Sequence, residues 1–520
     1  MTSGVLLIGL DGAEARLIEE WAAAGHLPAI ARLIADASRS SLRNPMATLP
    51  ASLWQEIIDS RSCARNPTLY FPNQLRSGEA MGRPVTSDDF NPRDSFWSAA
   101  GRAGKRVAVL DLPYAIFDPD LSGVQLIEWG VHDPEFGFKA SPDAFANEVA
   151  KVGPHPISHK HNGRCDRYAK TNAGYLELLD DLLEGLERRR QIYTEVLKRE
   201  QWDLFACGLP EAHCAGHHFF HFHNPRHYGH DAAAPDRLKS ALLSVYSAID
   251  ASIAQLLEAA GENAIVLFFT PQGMQDFTGG QHMLAEVLAR LGLASDSGKG
   301  GRTNLVRQAQ IFVKKIAPKS LVAPLRSLTK LGLVHRLQAE AGCLLDPFTS
   351  PMTKAGTLPN NRIGAIRLNL KGREPFGSVE PGAAASALIA DIRAALFELR
   401  HVRSGEPIVK SVTTADELFG ADHHPDMPDL LVEFRTDLGP LEECVSPRTG
   451  HVRVPFGKLM NERTGDHTTH AKIWVKGHGI EPGREEPEAH ILDIGPTILR
   501  LLDVPRPNHI DGQALAWVRG

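Results

Sequence analysis

The sequence predicts an α/β protein, a three-layer α/β/α sandwich around a mostly parallel central sheet. Short runs that are apolar throughout alternate along the chain with amphipathic helical patterns, which is typical of strands joined by crossover helices. Because these runs are apolar at consecutive positions, rather than at every second one, we expect the strands to be covered on both faces. At 520 residues the chain is also too long for one small core, so inserted regions are expected beside the sheet.

The individual elements follow from these two patterns. The apolar runs predicted as buried strands are Val5–Leu10, Arg106–Leu110, Leu204–Leu209, Ala264–Phe269, Asp429–Phe434 and Lys472–Val475. The segments with an apolar residue every three or four positions, predicted as helices, are Ala15–Ala24, Pro28–Ala35, Asp94–Ala103, Tyr175–Lys198, Pro235–Ala260, Ala383–Leu399 and Leu492–Leu502.

We predict that residues 1–297 and 338–520 form the main α/β core. Within it, a loop-rich insertion is expected at about 133–170 and a small subdomain at about 355–425. Residues 298–337 are rich in lysine and arginine and contain no acidic residue, which predicts a basic helical insertion or cap. This segment is either a solvated surface or a lid that attracts an anionic substrate or an acidic lipid.

Composition excludes several classes of protein. A net charge of −6 argues against binding a nucleic-acid polymer through overall electrostatics. The six cysteines are scattered without a Cys-x-x-Cys pair, which argues against a disulfide framework and a cysteine-based zinc ribbon. The N-terminus lacks a signal-peptide pattern, and no run approaches the ~20 apolar residues of a membrane span. We therefore expect a cytoplasmic protein without a transmembrane segment; the sequence leaves a homodimer open.

Two early segments carry residues suited to catalysis. Asp11, between Gly9-Leu10 and Gly12, ends the first predicted strand, where ligands collect in open α/β sheets. Thr48 precedes a predicted helical run that begins near Ser52, and a hydroxyl at a helix N-terminus meets backbone N–H groups that can hold a phosphoryl oxygen. Each segment also has a plain structural interpretation, a turn for Asp11 and a helix cap for Thr48 or Ser52.

Histidines dominate two further segments. His213 and His217 follow the Leu204–Leu209 run and lie four residues apart, a spacing that lets two imidazoles share a cation on a helix. His467, in Thr464-Gly465-Asp466-His467, precedes the Lys472–Val475 run. A surface cluster without an ion is the alternative for the first group.

Taken in order, these segments resemble the alkaline-phosphatase superfamily, and most closely its nucleotide pyrophosphatase/phosphodiesterase-like branch of phosphohydrolases. The matching motifs are Gly9–Gly12, Thr48 with Pro50, Glu211–His217, Gly465 with His467, and the stretch from Leu492 to Leu499 followed by Asp511-Gly512. The resemblance implies an alkaline-phosphatase-like fold, with Thr48 as the nucleophile and as a metal ligand. It also implies that His213, His217 and His467 hold one metal, with His213 standing where the family has an aspartate.

The second metal of the family is where this chain departs from the pattern. The family holds it with Asp11, the nucleophile and an Asp-His pair, but Pro271 and Gln272 stand in place of that pair. Only Gln272 or Asp276 is left to replace the missing ligands. We therefore expect one tightly bound Zn²⁺ or Mn²⁺ per chain, and a mononuclear site in which Asp11 could act as general base.

The predicted activity is hydrolysis of a phosphodiester or phosphomonoester by a metal-dependent enzyme. Its substrate would be an anionic small molecule or the phosphate ester of a glycan or lipid, and Arg367 and Arg373 could bind its charge unless they form structural ion pairs. A sulfatase is disfavoured because Thr48 cannot become the formylglycine that sulfatases use. A phosphomutase is disfavoured because the ligand set for the second metal is incomplete. The remaining alternative is a non-catalytic binding protein for an anionic ligand.

Overall fold

The computed structural model describes residues 4–45, 49–72, 74–79, 82–294, 348, 350–360, 362–455 and 463–518. The chain divides into two compact units. The main unit comprises Met1–Asn66, Thr86–Thr278 and Met460–Gly520, and the second unit comprises Pro67–Val85 and Gly279–Leu459.

The described strands and helices are numbered in chain order. The strands are β1 (Val5–Leu10), β2 (Ser38–Arg43), β3 (Val107–Leu110), β4 (Gly123–Ile127), β5 (Lys139–Ser141), β6 (Leu204–Leu209), β7 (Ile265–Thr270), β8 (Gly273–Asp276), β9 (Ala355–Leu358), β10 (Gly364–Leu368), β11 (Arg400–His401), β12 (Val409–Thr414), β13 (Leu430–Phe434), β14 (Glu443–Ser446), β15 (Gly450–Arg453), β16 (Gly465–Thr468), β17 (Ala471–Lys476) and β18 (Ala489–His490). The helices are α1 (Ala15–Ala23), α2 (Pro28–Ala35), α3 (Leu53–Asp59), α4 (Phe96–Arg102), α5 (Asp143–Val152), α6 (Pro156–His161), α7 (Asn172–Arg199), α8 (Glu211–His223), α9 (Asp236–Lys239), α10 (Ala241–Ala260), α11 (Leu284–Arg290), α12 (Ala383–Phe397), α13 (Ala415–Phe419) and α14 (Ile494–Leu501).

The main unit is built on a nine-stranded sheet in the order β18-β2-β17-β7-β1-β6-β3-β4-β5. All of its strands run in one direction except β17 and β5. The mostly parallel sheet predicted from the sequence is confirmed.

Helices cover both faces of this sheet, as the continuously apolar strands predict. Along β1, Leu6, Ile8 and Leu10 join a core that includes residues of α1, α2, α7, α8 and α10. The alternate residues Val5 and Leu7 join the opposite core with residues of α3, α4 and α14. Because successive side chains of a strand point to opposite faces, one apolar run supplies both cores, and the main unit is a three-layer α/β/α structure.

The second unit has its own core and two antiparallel sheets. One sheet has the order β12-β13-β10-β9 and the other β11-β14-β15, and the core includes residues of α11 and α12. This unit extends well beyond the subdomain predicted at about 355–425, and it includes a segment from early in the chain, Pro67–Val85.

The two predicted insertions have different outcomes. The segment 133–170, predicted to be loop-rich, contains the short strand β5 and the helices α5 and α6. The basic segment 298–337 lies outside the described residues. Among the described helices, none combines the length and apolarity needed to cross a membrane.

One predicted helix is interrupted. The segment Pro235–Ala260 forms α9 and α10, separated at Ser240. The Ser240 hydroxyl donates to the carbonyls of Asp236 and Arg237, at 3.1 and 3.4 Å. Such local side-chain bonds compete with helical backbone bonds.

Candidate metal centre

The candidate site lies at the carboxyl ends of three adjacent strands, β7, β1 and β6. Asp11 directly follows β1, Gln272 follows β7, and α8 begins at Glu211, two residues after β6 ends. Parallel strands deliver their following loops to the same sheet edge. The three segments that the sequence singled out therefore converge there.

Asp11 is a buried carboxylate whose two oxygens both have partners. Its Oδ2 lies 2.6 Å from His213 Nδ1. Its Oδ1 accepts hydrogen bonds from Trp54 Nε1 and Gln272 Nε2, each at 3.0 Å. Asp11 thus accepts a hydrogen bond from one side chain of α3, one of α8 and one of the segment after β7. These contacts show that Asp11 orients the side chains around it.

His213 and His217 point their Nε2 atoms at each other across 2.8 Å. Carboxylate and carbonyl oxygens only accept hydrogen bonds, so His213 Nδ1 donates to Asp11, and His217 Nδ1 donates to the Gly465 carbonyl at 2.8 Å. In neutral rings, both Nε2 atoms would then present lone pairs to each other. A proton or a metal cation between them is needed to remove that repulsion.

His467 completes a group of three imidazoles. It lies on β16, which pairs with β8 in register so that His467 faces Met274 across the strands. The centroid of its ring is 4.6 Å from that of His213 and 4.7 Å from that of His217. Its Nδ1 is buried and has no hydrogen-bond partner.

Burial and charge favour neutral forms of His217 and His467 beside an ionised Asp11. Burial raises the pKa of Asp11, but the charge of His213 and its hydrogen bond lower that pKa by a larger amount. The pKa of Asp11 therefore lies well below its usual range. Burial lowers the pKa of His217, and nearby Arg463 and His213 lower it more. Burial and His213 likewise lower the pKa of His467. Neutral imidazole is the form that binds metal ions.

Two glycines allow these side chains to approach so closely. Gly12 has a φ of +63°, and a Cβ there would lie 3.0–3.2 Å from atoms of His213. At Gly465, a Cβ would lie 2.2 Å from the Gly216 carbonyl oxygen. The second contact explains how β16 comes against α8 and brings His467 to His217.

A buried ion network fixes the first turn of α8. Arg189 lies 2.7 Å from both Asp111 Oδ2 and Glu211 Oε1, and it also donates to Tyr193 Oη at 2.7 Å. All of these side chains are buried. Glu211, part of the motif that the sequence singled out, therefore positions the helix that carries His213.

The donor set fits a transition metal. The Nε2 atoms of His213 and His217 face each other across 2.8 Å, and the buried, unpartnered Nδ1 of His467 belongs to a ring packed against both. Several imidazoles suit Zn²⁺ better than harder ions such as Mn²⁺ or Mg²⁺. The contact of Asp11 with His213 is the carboxylate–histidine arrangement that commonly supports a metal-binding imidazole.

The other predicted site residues have mixed outcomes. Thr48 lies outside the described residues. Gln272 donates to Asp11, while its Oε1 is buried without a partner. Asp276 accepts from Asn224 Nδ2 through both oxygens at 3.0 Å. Both residues remain predictions as ligands of a second metal.

Arg367 and Arg373 favour the structural alternative. Arg367 is fully buried and donates to Glu374 at 2.7 Å, to two backbone carbonyls and to Ser77. Arg373 donates to Glu374 at 2.7 Å and to both oxygens of Asp429. Donors already engaged inside the second unit have little capacity left to bind a substrate.

Sequence reasoning missed His132 and Arg189. His132 lies in the segment after β4 and carries no local pattern; its ring centroid is 4.4 Å from that of His213. Arg189 reads as one charge of an amphipathic helix, and only its buried acidic partners reveal its role. The other histidines near the end of α8 hold the segment before β16: His221 Nδ1 lies 2.9 Å from Thr464 Oγ1, and His227 Nε2 donates to the Thr464 carbonyl at 3.0 Å.

Comparisons with known proteins supply no family for this chain: a scan against protein-family models and a search of curated proteins both give no match.

Proposed function

We propose that this chain is a metal-dependent hydrolase of a phosphate ester, with Thr48 as its nucleophile, of the alkaline-phosphatase superfamily type. The observation that carries the proposal is the pair of facing Nε2 atoms of His213 and His217, each ring held by an oxygen acceptor on its other nitrogen. Such a pair, with His467 beside it, is organised to receive a cation at the sheet edge where ligands bind in this type of fold.

Residues on both sides of the segment that contains Thr48 support its assignment. Asn44 Nδ2 donates to the Pro271 carbonyl at 2.8 Å, and Trp54 Nε1 donates to Asp11 at 3.0 Å. Asn44 and Trp54, which flank this segment in the sequence, therefore both lie beside the candidate centre. The nucleophile assignment itself rests on the motif Thr48-Leu49-Pro50 in the sequence.

In the proposed reaction the Thr48 oxygen attacks phosphorus in line, the bond to the ester oxygen breaks, and the alcohol leaves with the proton lost by the Thr48 hydroxyl. Water then hydrolyses the phosphothreonine, which releases the phosphoryl group as phosphate or its monoester and restores the hydroxyl. A Zn²⁺ ion held by His213, His217 and His467 would polarise a phosphoryl oxygen or activate the hydroxyl. Asp11 orients His213; its lowered pKa makes it a weak base towards Thr48.

The second candidate is a binding protein that keeps the fold and recognises an anionic ligand. It is favoured by Pro271 and Gln272, which replace the second pair of metal ligands expected from the resemblance, and by Asp276, whose oxygens are taken up by Asn224. A single bound ion would still allow hydrolysis, so the number of metal ions does not separate the hydrolase from the binding protein. Only turnover of a substrate separates them.

The test combines a substrate panel with two variants of the full-length protein. We expect the zinc-loaded protein to hydrolyse bis(p-nitrophenyl) phosphate or p-nitrophenyl phosphate in preference to the sulfate ester. Thr48→Ala should lower this activity by about a thousandfold or more, with its metal content unchanged. His217→Gln should lose about one metal equivalent together with the activity.

Thr48→Ser is the matched control and should retain measurable turnover, since it keeps a hydroxyl. A zinc-loaded wild type that binds these esters without turnover would favour the binding protein. Full activity in Thr48→Ala would remove Thr48 from the mechanism.

A further inference from the structure

A second group of ligand-type side chains lies on the neighbouring stripe of α8. Cys214 and His218 are four residues apart, each one position after His213 and His217. Near them lie Cys165, in the turn Cys165–Arg167, and His132, after β4. All four side chains are buried.

The sulfur and nitrogen atoms of this group are at near-ligand separations. His132 Nδ1 lies 3.3 Å from Cys165 Sγ and 3.4 Å from Cys214 Sγ. Bonds of about 2.3 Å to sulfur and about 2.0 Å to nitrogen at a tetrahedral angle put the two atoms about 3.5 Å apart. The three ligating atoms all lie within 4.8 Å of one another.

The remaining contacts prepare these atoms to bind a cation. His132 Nε2 lies 3.0 Å from Asp133 Oδ2, so Nε2–H donates to the carboxylate and a neutral ring keeps a lone pair on Nδ1. His218 Nδ1 faces the Lys170 ammonium at 3.4 Å, so Nδ1 accepts and Nε2–H donates to Cys165 Sγ at 3.2 Å. The first contact orients a ligand imidazole, and the second stabilises a ligand thiolate.

We propose that His132 Nδ1, Cys165 Sγ and Cys214 Sγ form a zinc site distinct from the histidine centre. Two thiolates balance the charge of Zn²⁺, so the complex is electrically neutral, which a fully buried site requires. Thiolate and imidazole ligands select a soft cation such as zinc over Mg²⁺, Ca²⁺ or Mn²⁺.

The site would tie three segments that are distant in sequence. His132 lies at the edge of the 133–170 segment, Cys165 lies within it, and Cys214 lies on the helix that carries His213. Metal bonds between them would hold that segment against α8 and keep the His132 ring beside His213, 4.4 Å between centroids. The role assigned to this zinc is therefore structural support of the histidine centre.

The alternative for the same side chains is an ion pair without a metal. Burial lowers the pKa of His132, but Asp133 and Cys165 raise it to about 10, which describes an imidazolium between a carboxylate and a thiolate. A thiolate paired with imidazolium binds no metal, so metal analysis separates the two interpretations.

The experiment replaces the native metal of the full-length protein with Co²⁺ and records its absorption spectrum. Only thiolate ligands give a near-ultraviolet sulfur-to-cobalt charge-transfer band, so imidazoles alone leave that region clear. We expect the band in the wild type, and about one metal equivalent lost with the band in Cys165→Ala and Cys214→Ala. Cys207→Ala, which removes a buried cysteine of β6 outside this group, should keep both.

The wild-type spectrum is decisive even if a variant fails to fold: a cobalt-loaded wild type without the charge-transfer band overturns the proposal. His217→Gln separates this proposal from the proposed function. It should lose the metal of the histidine centre and retain the band, so an inactive protein that still shows the band would leave the thiolate site standing.

Discussion

Helix α8 presents two adjacent stripes that use the same four-residue spacing for different partners. His213 and His217 face Asp11 and the Gly465 carbonyl. Cys214 and His218 face Cys165 and His132. One stripe is made of imidazoles at the carboxyl edge of the sheet, and the other pairs thiols with imidazoles beneath the segment that follows β4.

The difference teaches that spacing on a helix supplies pairs of ligands, while the partner segments decide what each pair can do. Residues four apart always share a face, so both stripes satisfy the metal-site pattern in the sequence. The first stripe contacts the carboxylate of Asp11 and lies beside the residues that flank Thr48. The second stripe contacts the buried thiol of Cys165 and the ammonium of Lys170. Three predictions test the anchor that the stripes share, their separability and the histidine stripe alone.

The largest expected effect comes from the anchor that both stripes share. Arg189→Met would leave Asp111 and Glu211 buried without their positive partner, which should lower the free energy of unfolding by about 3–5 kcal/mol. Because Glu211 begins α8, both stripes should lose metal together. Urea unfolding and metal analysis of the purified protein measure the two effects.

Arg190→Met is the matched control for this change. Arg190 is the next residue on α7, and its ion pair with Glu187 lies at the surface. Such pairs contribute at most about 1 kcal/mol. Equal losses in the two variants would mean that the buried network does not anchor α8.

A smaller effect should fall on the histidine stripe alone. Gly12→Ala places a Cβ against His213 at a φ of +63°, whereas Gly25→Ala, at a φ of +81°, meets nothing within 4 Å. We expect a loss of unfolding free energy of about 2 kcal/mol for Gly12→Ala and about 1 kcal/mol for Gly25→Ala.

Only Gly12→Ala should weaken zinc binding at the histidine centre, and the cobalt–thiolate band should survive in both variants. Competition with a chelator measures the affinity. If Gly12→Ala weakened the thiolate band as strongly as the histidine site, the stripes would behave as one unit.

How far the sequence predicts this molecule depends on whether a segment carries its own pattern. The bounds of β1 and β6 are predicted without error, because every residue of these runs is apolar and buried on both faces. Strand β2, with the sequence Ser-Arg-Ser-Ser-Leu-Arg, has no such signal and forms by pairing with β17 and β18. Its existence depends on neighbours that are far away in the chain.

The candidate centre follows the same rule. Asp11, His213, His217 and His467 stand in short motifs, and the structure brings their side chains together. His132 and Cys165 stand in no motif, because their value comes only from a fold that carries them to α8. Likewise, Arg367 resembles a substrate ligand in the sequence, and only its buried contact with Glu374 shows a structural role.

The smallest effect concerns the next residue of the histidine stripe, His221, and its dependence on pH. Burial and the neighbouring His227 lower the pKa of His221 to about 4, so between about pH 4 and the unfolded value of about 6.5 the unfolded state binds more protons. Stability should therefore fall as the pH drops through this window. Since solvent reaches part of the ring, we expect His221 to account for about 1 kcal/mol of the loss between pH 7 and pH 5. Urea unfolding at both pH values should show a shallower loss for His221→Gln than for the wild type. The exposed His26→Gln is the control for removing an imidazole at the surface. An unchanged loss in His221→Gln would show that His221 does not account for the pH dependence.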